Sequence, residues 1–153
     1  MKLLKLSRDR LYPALEEPLS EVSLEDWGDN PQGHADATAL RISNDVSLAD
    51  VKCDLHGFST IILDFPAFKD GRAYSQARLL RERYGYTGEI RARGDILRDQ
   101  LLFMARCGIN AFEFTGDVGG ANEALKEFTF AYQPAADGRE PVWRKRLNRA
   151  AAA

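Results

Sequence analysis

Along residues 60–114 the apolar positions change spacing twice, from a strand-like run to a helical stripe and back again. Short β-rich runs fall near 60–64, 89–93 and 111–114, with helical patterns near 72–84 and 96–107 between them. In the first helix Ala73, Ala77, Leu80 and Tyr84 share one face, which leaves Arg78, Arg81, Glu82 and Arg83 for water. Gly85 supplies its stop. In the second, Asp95 is placed to act as N-cap, because its carboxylate can accept from free backbone N–H groups. Leu97, Leu101, Met104 and Ala105 form its buried stripe, and Gly108 ends it.

Alternating strands and helices predict βαβ units and a mainly parallel sheet. Leu40-Arg41-Ile42-Ser43 adds an earlier strand. Leu48, Val51 and Leu55 then predict a short helix, with Asn44-Asp45 as its cap. Phe128, Phe130 and Tyr132 alternate as a last strand would. The expected architecture is a single α/β domain with four to five mainly parallel strands flanked by helices. A Rossmann-like or flavodoxin-like order fits, and so does a half-barrel-like one. Residues 1–36 read as an N-terminal arm and acidic loop, 37–133 as the α/β domain, and 134–153 as a linker and basic C-terminal tail. Residues 1–12 suit an edge strand or hairpin arm, and Trp27 suits a pin that holds the acidic loop to the core.

Composition narrows the function classes. The 153 residues are 44% hydrophobic and 29% charged, as in an ordinary globular domain. Net charge is −2, so the chain does not advertise a nucleic-acid partner. The charge is uneven: residues 1–60 hold 6 Lys+Arg against 11 Asp+Glu, whereas the remainder holds 15 against 12. That asymmetry suits a charged partner or a homodimer as well as plain solvated charge. No apolar run reaches the roughly 18–20 residues that span a bilayer, so a cytoplasmic, membrane-free protein is expected.

Candidate chemistry is sparse. Cys53 and Cys107 are the only cysteines, fewer than the about four ligands of an iron–sulfur cluster. His34 and His56 lack ligand partners at metal spacing, so no metal site is expected. Ser59 and Ser75 lack the context of a serine nucleophile. Thr115-Gly116-Asp117-Val118-Gly119-Gly120 matches neither the dinucleotide fingerprint nor a P-loop. In parallel α/β sheets ligands settle beyond the C-terminal strand ends. That edge would carry Asp64, Lys69, Asp70, Arg72, Arg91, Arg93 and Asp95. Arg91 and Arg93 lie two apart on one strand and so share a face. Such charges need carboxylates such as Glu89, Asp64, Asp70 or Asp95, or else an external oxyanion, phosphate-bearing cofactor or acidic partner.

The run Phe65-Pro66-Ala67-Phe68-Lys69-Asp70-Gly71-Arg72-Ala73-Tyr74-Ser75-Gln76-Ala77-Arg78-Leu79-Leu80-Arg81, with Gly88-Glu89-Ile90-Arg91-Ala92-Arg93-Gly94-Asp95 and Asp99-Gln100, resembles the bacterial family called domain of unknown function 934. The resemblance covers residues 40–115 closely and the ends loosely. Members of that family are commonly encoded beside the haemoprotein subunit of assimilatory sulfite or nitrite reductase and labelled oxidoreductases of sulfite reduction, and the resemblance implies the same association here. It supplies no catalytic residues. Its motif positions here are Asp70, Gly71, Arg72, Arg91, Arg93, Gly94, Asp95, Asp99 and Gln100. No sirohaem, iron–sulfur, flavin or nicotinamide fingerprint accompanies them, so no cofactor is predicted. The expected role is an accessory protein that docks on the reductase or its electron donor through an arginine-bearing edge. The alternatives are a small anion-binding or cofactor-binding oxidoreductase and a structural dimerisation module. The residues assigned to binding are Asp70, Arg72, Arg91, Arg93, Asp95, Asp99 and Gln100.

Overall fold

The computed structural model describes residues 2–15, 18–117, 119–128, 131–137 and 139–151. Seven strands build one sheet: β1 (Lys2–Ser7), β2 (Arg10–Ala14), β3 (Glu21–Ser23), β4 (Ala39–Ile42), β5 (Thr60–Phe65), β6 (Glu89–Gly94) and β7 (Ala111–Phe114). Their order is β2-β1-β7-β6-β5-β4-β3. Strands β3 to β7 run parallel, and the β1–β2 hairpin closes the β7 side antiparallel. The sheet is thus larger than the four to five strands expected. The N-terminal arm is the reason, because it adds the hairpin and β3 to the domain itself.

The parallel strands follow one another in chain order. A doubly wound sheet reverses direction at an internal strand and opens its ligand crevice there. This sheet has no such reversal. Right-handed crossovers that all step the same way leave their connections on one face. The core agrees. Leu40, Ile42, Ile61, Leu63, Phe65, Ile90, Ala92, Phe112 and Phe114 share a buried cluster with Ala73, Ala77, Leu80, Leu101 and Met104. Each fully buried Ile or Leu contributes about 1.5–3 kcal/mol there.

The helices are α1 (Leu24–Asp29), α2 (Arg72–Glu82), α3 (Leu101–Arg106), α4 (Ala121–Ala124) and α5 (Val142–Ala151). α2 follows its predicted face, with Ala73, Ala77 and Leu80 buried. Arg81 departs from the expectation that it faces water. It is half-buried and donates to the carbonyls of Gly108 (2.9 Å), Tyr86 (2.6 Å) and Gly88 (2.9 Å). α3 starts later than predicted, after a 3-10 turn at Arg98–Gln100. Leu97 lies before both and is 41% exposed, so it leaves the buried stripe. The helix expected over 48–55 is two 3-10 turns, Leu48–Asp50 and Leu55–Gly57, which bury both leucines without a continuous helix. The acidic loop folds into β3, α1 and a 3-10 turn at Pro31–His34. Within it Trp27 packs edge-on against Phe58, with ring centroids 5.0 Å apart, as a pin should.

The strand expected over Phe128, Phe130 and Tyr132 lies partly outside the described residues, since Phe130 is not among them; Phe128 and Tyr132 are in no strand. Among the described residues no helix is long and apolar enough to cross a membrane. At the free edge of β2, the Asn122 side chain accepts from the Leu11 N–H (2.8 Å) and donates to the Leu11 carbonyl (3.1 Å).

Candidate functional site

The face opposite the helices is charged. Strand alternation places Glu21, Arg41, Asp64, Arg93 and Glu113 on one face in a row that runs diagonally from β3 to β5 and level from β5 to β7, with Glu89 and Arg91 on β6 and Lys5 on β1 beside them. Register puts Asp64 next to Arg93 and Arg93 next to Glu113. The ion pairs follow the row. Arg41 binds Asp64 at 2.8 Å, and Arg93 binds both Glu113 at 2.5 Å and Glu21 at 2.8 Å. Arg91 binds Glu113 at 3.0 Å and Glu89 at 2.5 Å, and Lys5 binds the other Glu89 oxygen at 2.9 Å. Four cations meet four carboxylates, so the network is neutral.

The Arg93–Glu21 bond reports on shape. β3 and β6 are three strand spacings apart, about 14 Å along a flat sheet. Arg93 also reaches the other way, to β7. Both bonds form because the sheet curls, with the charged face inside. Glu113 is 3% exposed and Arg91 4%. Burial alone would push the Glu113 carboxyl up, but hydrogen bonds from Arg93 and Arg91 outweigh it and hold the group below its ordinary value. The Glu113 hydrogen bond, backed by Glu21, raises Arg93 against the cost of its burial. Both groups are therefore locked in their charged forms, which suits a structural strut rather than a proton carrier.

The remaining predicted site residues lie at the C-terminal strand edge. Arg72 opens α2 and is held by Asp70 at 2.7 Å; the two make no contact with Arg91 or Arg93. The Arg72 guanidinium and backbone N–H together draw the Asp70 carboxyl down to about 2. That carboxylate already sits where an external anion would meet the α2 N-terminus. Asp95 does not cap α3. Its carboxylate accepts from the Phe68 N–H across the edge at 3.0 Å. Gln100 donates to the Phe68 carbonyl (2.6 Å) and accepts from the Leu97 N–H (3.1 Å). Asp95 and Gln100 thus hold both backbone groups of Phe68, a residue that is 50% exposed. Asp99 lies in the 3-10 turn before α3. Asp117 accepts from the Gly119 N–H at 3.1 Å, so the third loop is also filled by its own carboxylate. Asp70, Asp95 and Gln100 therefore gather around the 66–72 loop, while Arg91 and Arg93 turn onto the charged face.

A crevice of about 450 Å³ opens at the ends of β3 to β5, lined by Ser23, Glu25, Arg41, Ser43, Asp45 and Asp64 among others. Its carboxylates outnumber its single cation, which does not suit an oxyanion. One wall is fixed by Gln76, whose amide donates to the Ser43 and Val46 carbonyls at 2.8 Å each. Cys107 is half-buried, and burial raises its thiol. Among the described residues no group of three or more His, Cys, Asp or Glu could hold a metal ion.

Positive charge remains exposed on α5. Its sequence Val142-Trp143-Arg144-Lys145-Arg146-Leu147-Asn148-Arg149-Ala150-Ala151 has no acidic residue. Every side chain from Trp143 to Asn148 is exposed.

Glu21, Glu89, Glu113, Arg41 and Lys5 were not among the predicted site residues. The signal for Glu113 was a carboxylate inside the apolar strand Ala111-Phe112-Glu113-Phe114, which only a buried cation would tolerate.

Fold and site together define a mixed α/β protein with a consecutive parallel sheet, an ionic inner face and a clamped loop at its C-terminal edge. Residues 39–143 match the family described as bacterial protein of unknown function (DUF934), and the chain belongs to that family. No curated protein matches the chain, and no solved structure does.

Proposed function

We propose that this chain is an accessory protein of assimilatory sulfite reduction that docks on the haemoprotein subunit of the reductase or on its electron donor. The reading joins the resemblance to the family with one observation. The guanidinium groups of Arg91 and Arg93 are spent on Glu21, Glu89 and Glu113 of the same chain. A site for sulfite or a phosphate-bearing cofactor needs unspent cations, and the β6 arginines do not supply them. Positive charge exposed on α5 supports recognition of a protein instead. The docking surface is accordingly displaced from the β6 arginines to the exposed basic surface. The curl and the consecutive strand order support a half-barrel-like architecture, in which the inner face is filled by ion pairs.

Pull-down and calorimetry at low salt with the haemoprotein subunit from the same organism, and with its electron donor, test the proposal. Micromolar or tighter binding to either is the expected result. Absence of binding to both overturns it. A deletion strain that grows on cysteine but poorly on sulfate as sole sulfur source is the matching phenotype.

A further inference from the structure

α5 combines three properties that bear on binding. Its two large apolar residues, Trp143 and Leu147, are four apart and so lie on one helical face. Both are exposed, Trp143 by 38% and Leu147 by 62%. The flanking positions carry Arg144, Lys145, Arg146 and Arg149. Arg144 stands over the Trp143 ring at 5.2 Å, which holds the indole beside positive charge. The start of the helix is anchored, since the Val142 N–H donates to the Ala131 carbonyl at 3.0 Å. The Asn148 side chain also donates to Glu140 at 2.6 Å. A ten-residue helix with an uncovered apolar stripe is marginal in water, and covering the stripe stabilises it.

We propose that α5 is the docking element for the protein partner, and that it seats Trp143 and Leu147 in an apolar groove rimmed by carboxylates. This rests on the docking function proposed above and names the surface that performs it. Charge decides the rim: a helix with four basic residues and no acidic one is complementary to an acidic surface. Helix-in-groove recognition supplies the mode, with anchors at i and i+4. An anionic membrane is a poorer occupant, because two large apolar side chains offer little area to the acyl boundary.

The test uses the full chain and the haemoprotein subunit of the same organism's sulfite reductase, with the electron donor in a parallel arm. Trp143→Ala and Leu147→Ala should each weaken binding by tenfold or more. Arg144→Gln with Arg146→Gln should flatten its salt dependence. Thermal midpoints of all variants should match the wild type, since the altered side chains are exposed. Failure of the wild type to bind either protein overturns the docking function and this inference with it. Wild-type binding that the α5 variants retain overturns only this inference. Binding to anionic phosphatidylglycerol vesicles that Trp143→Ala abolishes, with partner binding intact, also overturns it. Self-association that the same variant abolishes, again with partner binding intact, overturns it in favour of a second copy.

Discussion

Arg93 on β6 and Glu21 on β3 form an ion pair at 2.8 Å, although β4 and β5 lie between their strands. The pair is partly open to solvent, with each side chain 28% exposed. Its own contribution is therefore small, and Glu21→Gln should cost no more than about 1 kcal/mol. Glu113 is different, because its side chain is 3% exposed and serves both Arg91 and Arg93. Glu113→Ala leaves the buried Arg91 short of a carboxylate and should cost about 3–5 kcal/mol. Urea unfolding of the two variants checks the contrast.

The same carboxylate sets an acid limit. Inside the fold the Glu113 carboxyl is held below its ordinary value of 4.5. The unfolded chain thus takes up that proton at a higher pH than the folded chain does. The stability it contributes is complete above the ordinary value and is lost as pH falls through the folded one. Urea midpoints should stay nearly level between about pH 5 and 7 and decline below about 4.5. The decline should be shallower in Glu113→Gln than in wild type. Asp70, drawn to about 2 by Arg72, adds a weaker loss in a window beginning near 3.8 and extending down to about 2.

Gly94 has φ +119, and a Cβ there would overlap the Phe65 carbonyl oxygen. That oxygen also accepts from the Asp95 N–H at 2.7 Å, so the approach cannot relax without losing the bond. Gly94→Ala should cost about 3 kcal/mol through backbone strain and overlap. A fall in the thermal midpoint with retained far-ultraviolet ellipticity is the expected reading.

Gln100 ties Leu97 to Phe68 through one side-chain amide. Gln100→Ala removes two partly solvated hydrogen bonds and should cost only about 1 kcal/mol globally. Locally the effect should be larger. The Leu97 amide should exchange tenfold faster or more, while the Phe68 amide stays protected by Asp95. Hydrogen exchange resolved by residue separates the two.

The sequence made the parallel strands legible because β5 and β7 are short, mainly apolar runs and β6 alternates Ile90 and Ala92 with charged residues. α2 was legible for the same reason, through Ala73, Ala77 and Leu80. Strand order was not legible, since periodicity says nothing about which neighbour a strand chooses. The hairpin at 2–14 was weak in pattern because β2 contains Pro13 and alternates loosely. Arg81 looked solvated on a helical wheel, yet its long stem reaches carbonyls freed at the ends of two loops. The pairing of Arg91 and Arg93 was readable as a need and in one partner, Glu89, whereas Glu21 and Glu113 were not foreseen. Their carboxylates come from β3, β6 and β7, up to 72 residues away. Asp95 and Gln100 stood out as motif positions, but their target was a backbone across the edge, which no spacing reveals.

Asn122 gives the sheet a finished border. By occupying the N–H and carbonyl of Leu11, its amide takes the place that an invading strand would use to extend the ladder. At the opposite border β3 is only three residues long, too short to template a neighbour. Neither side invites growth by strand addition, so any lasting assembly must be made with side chains.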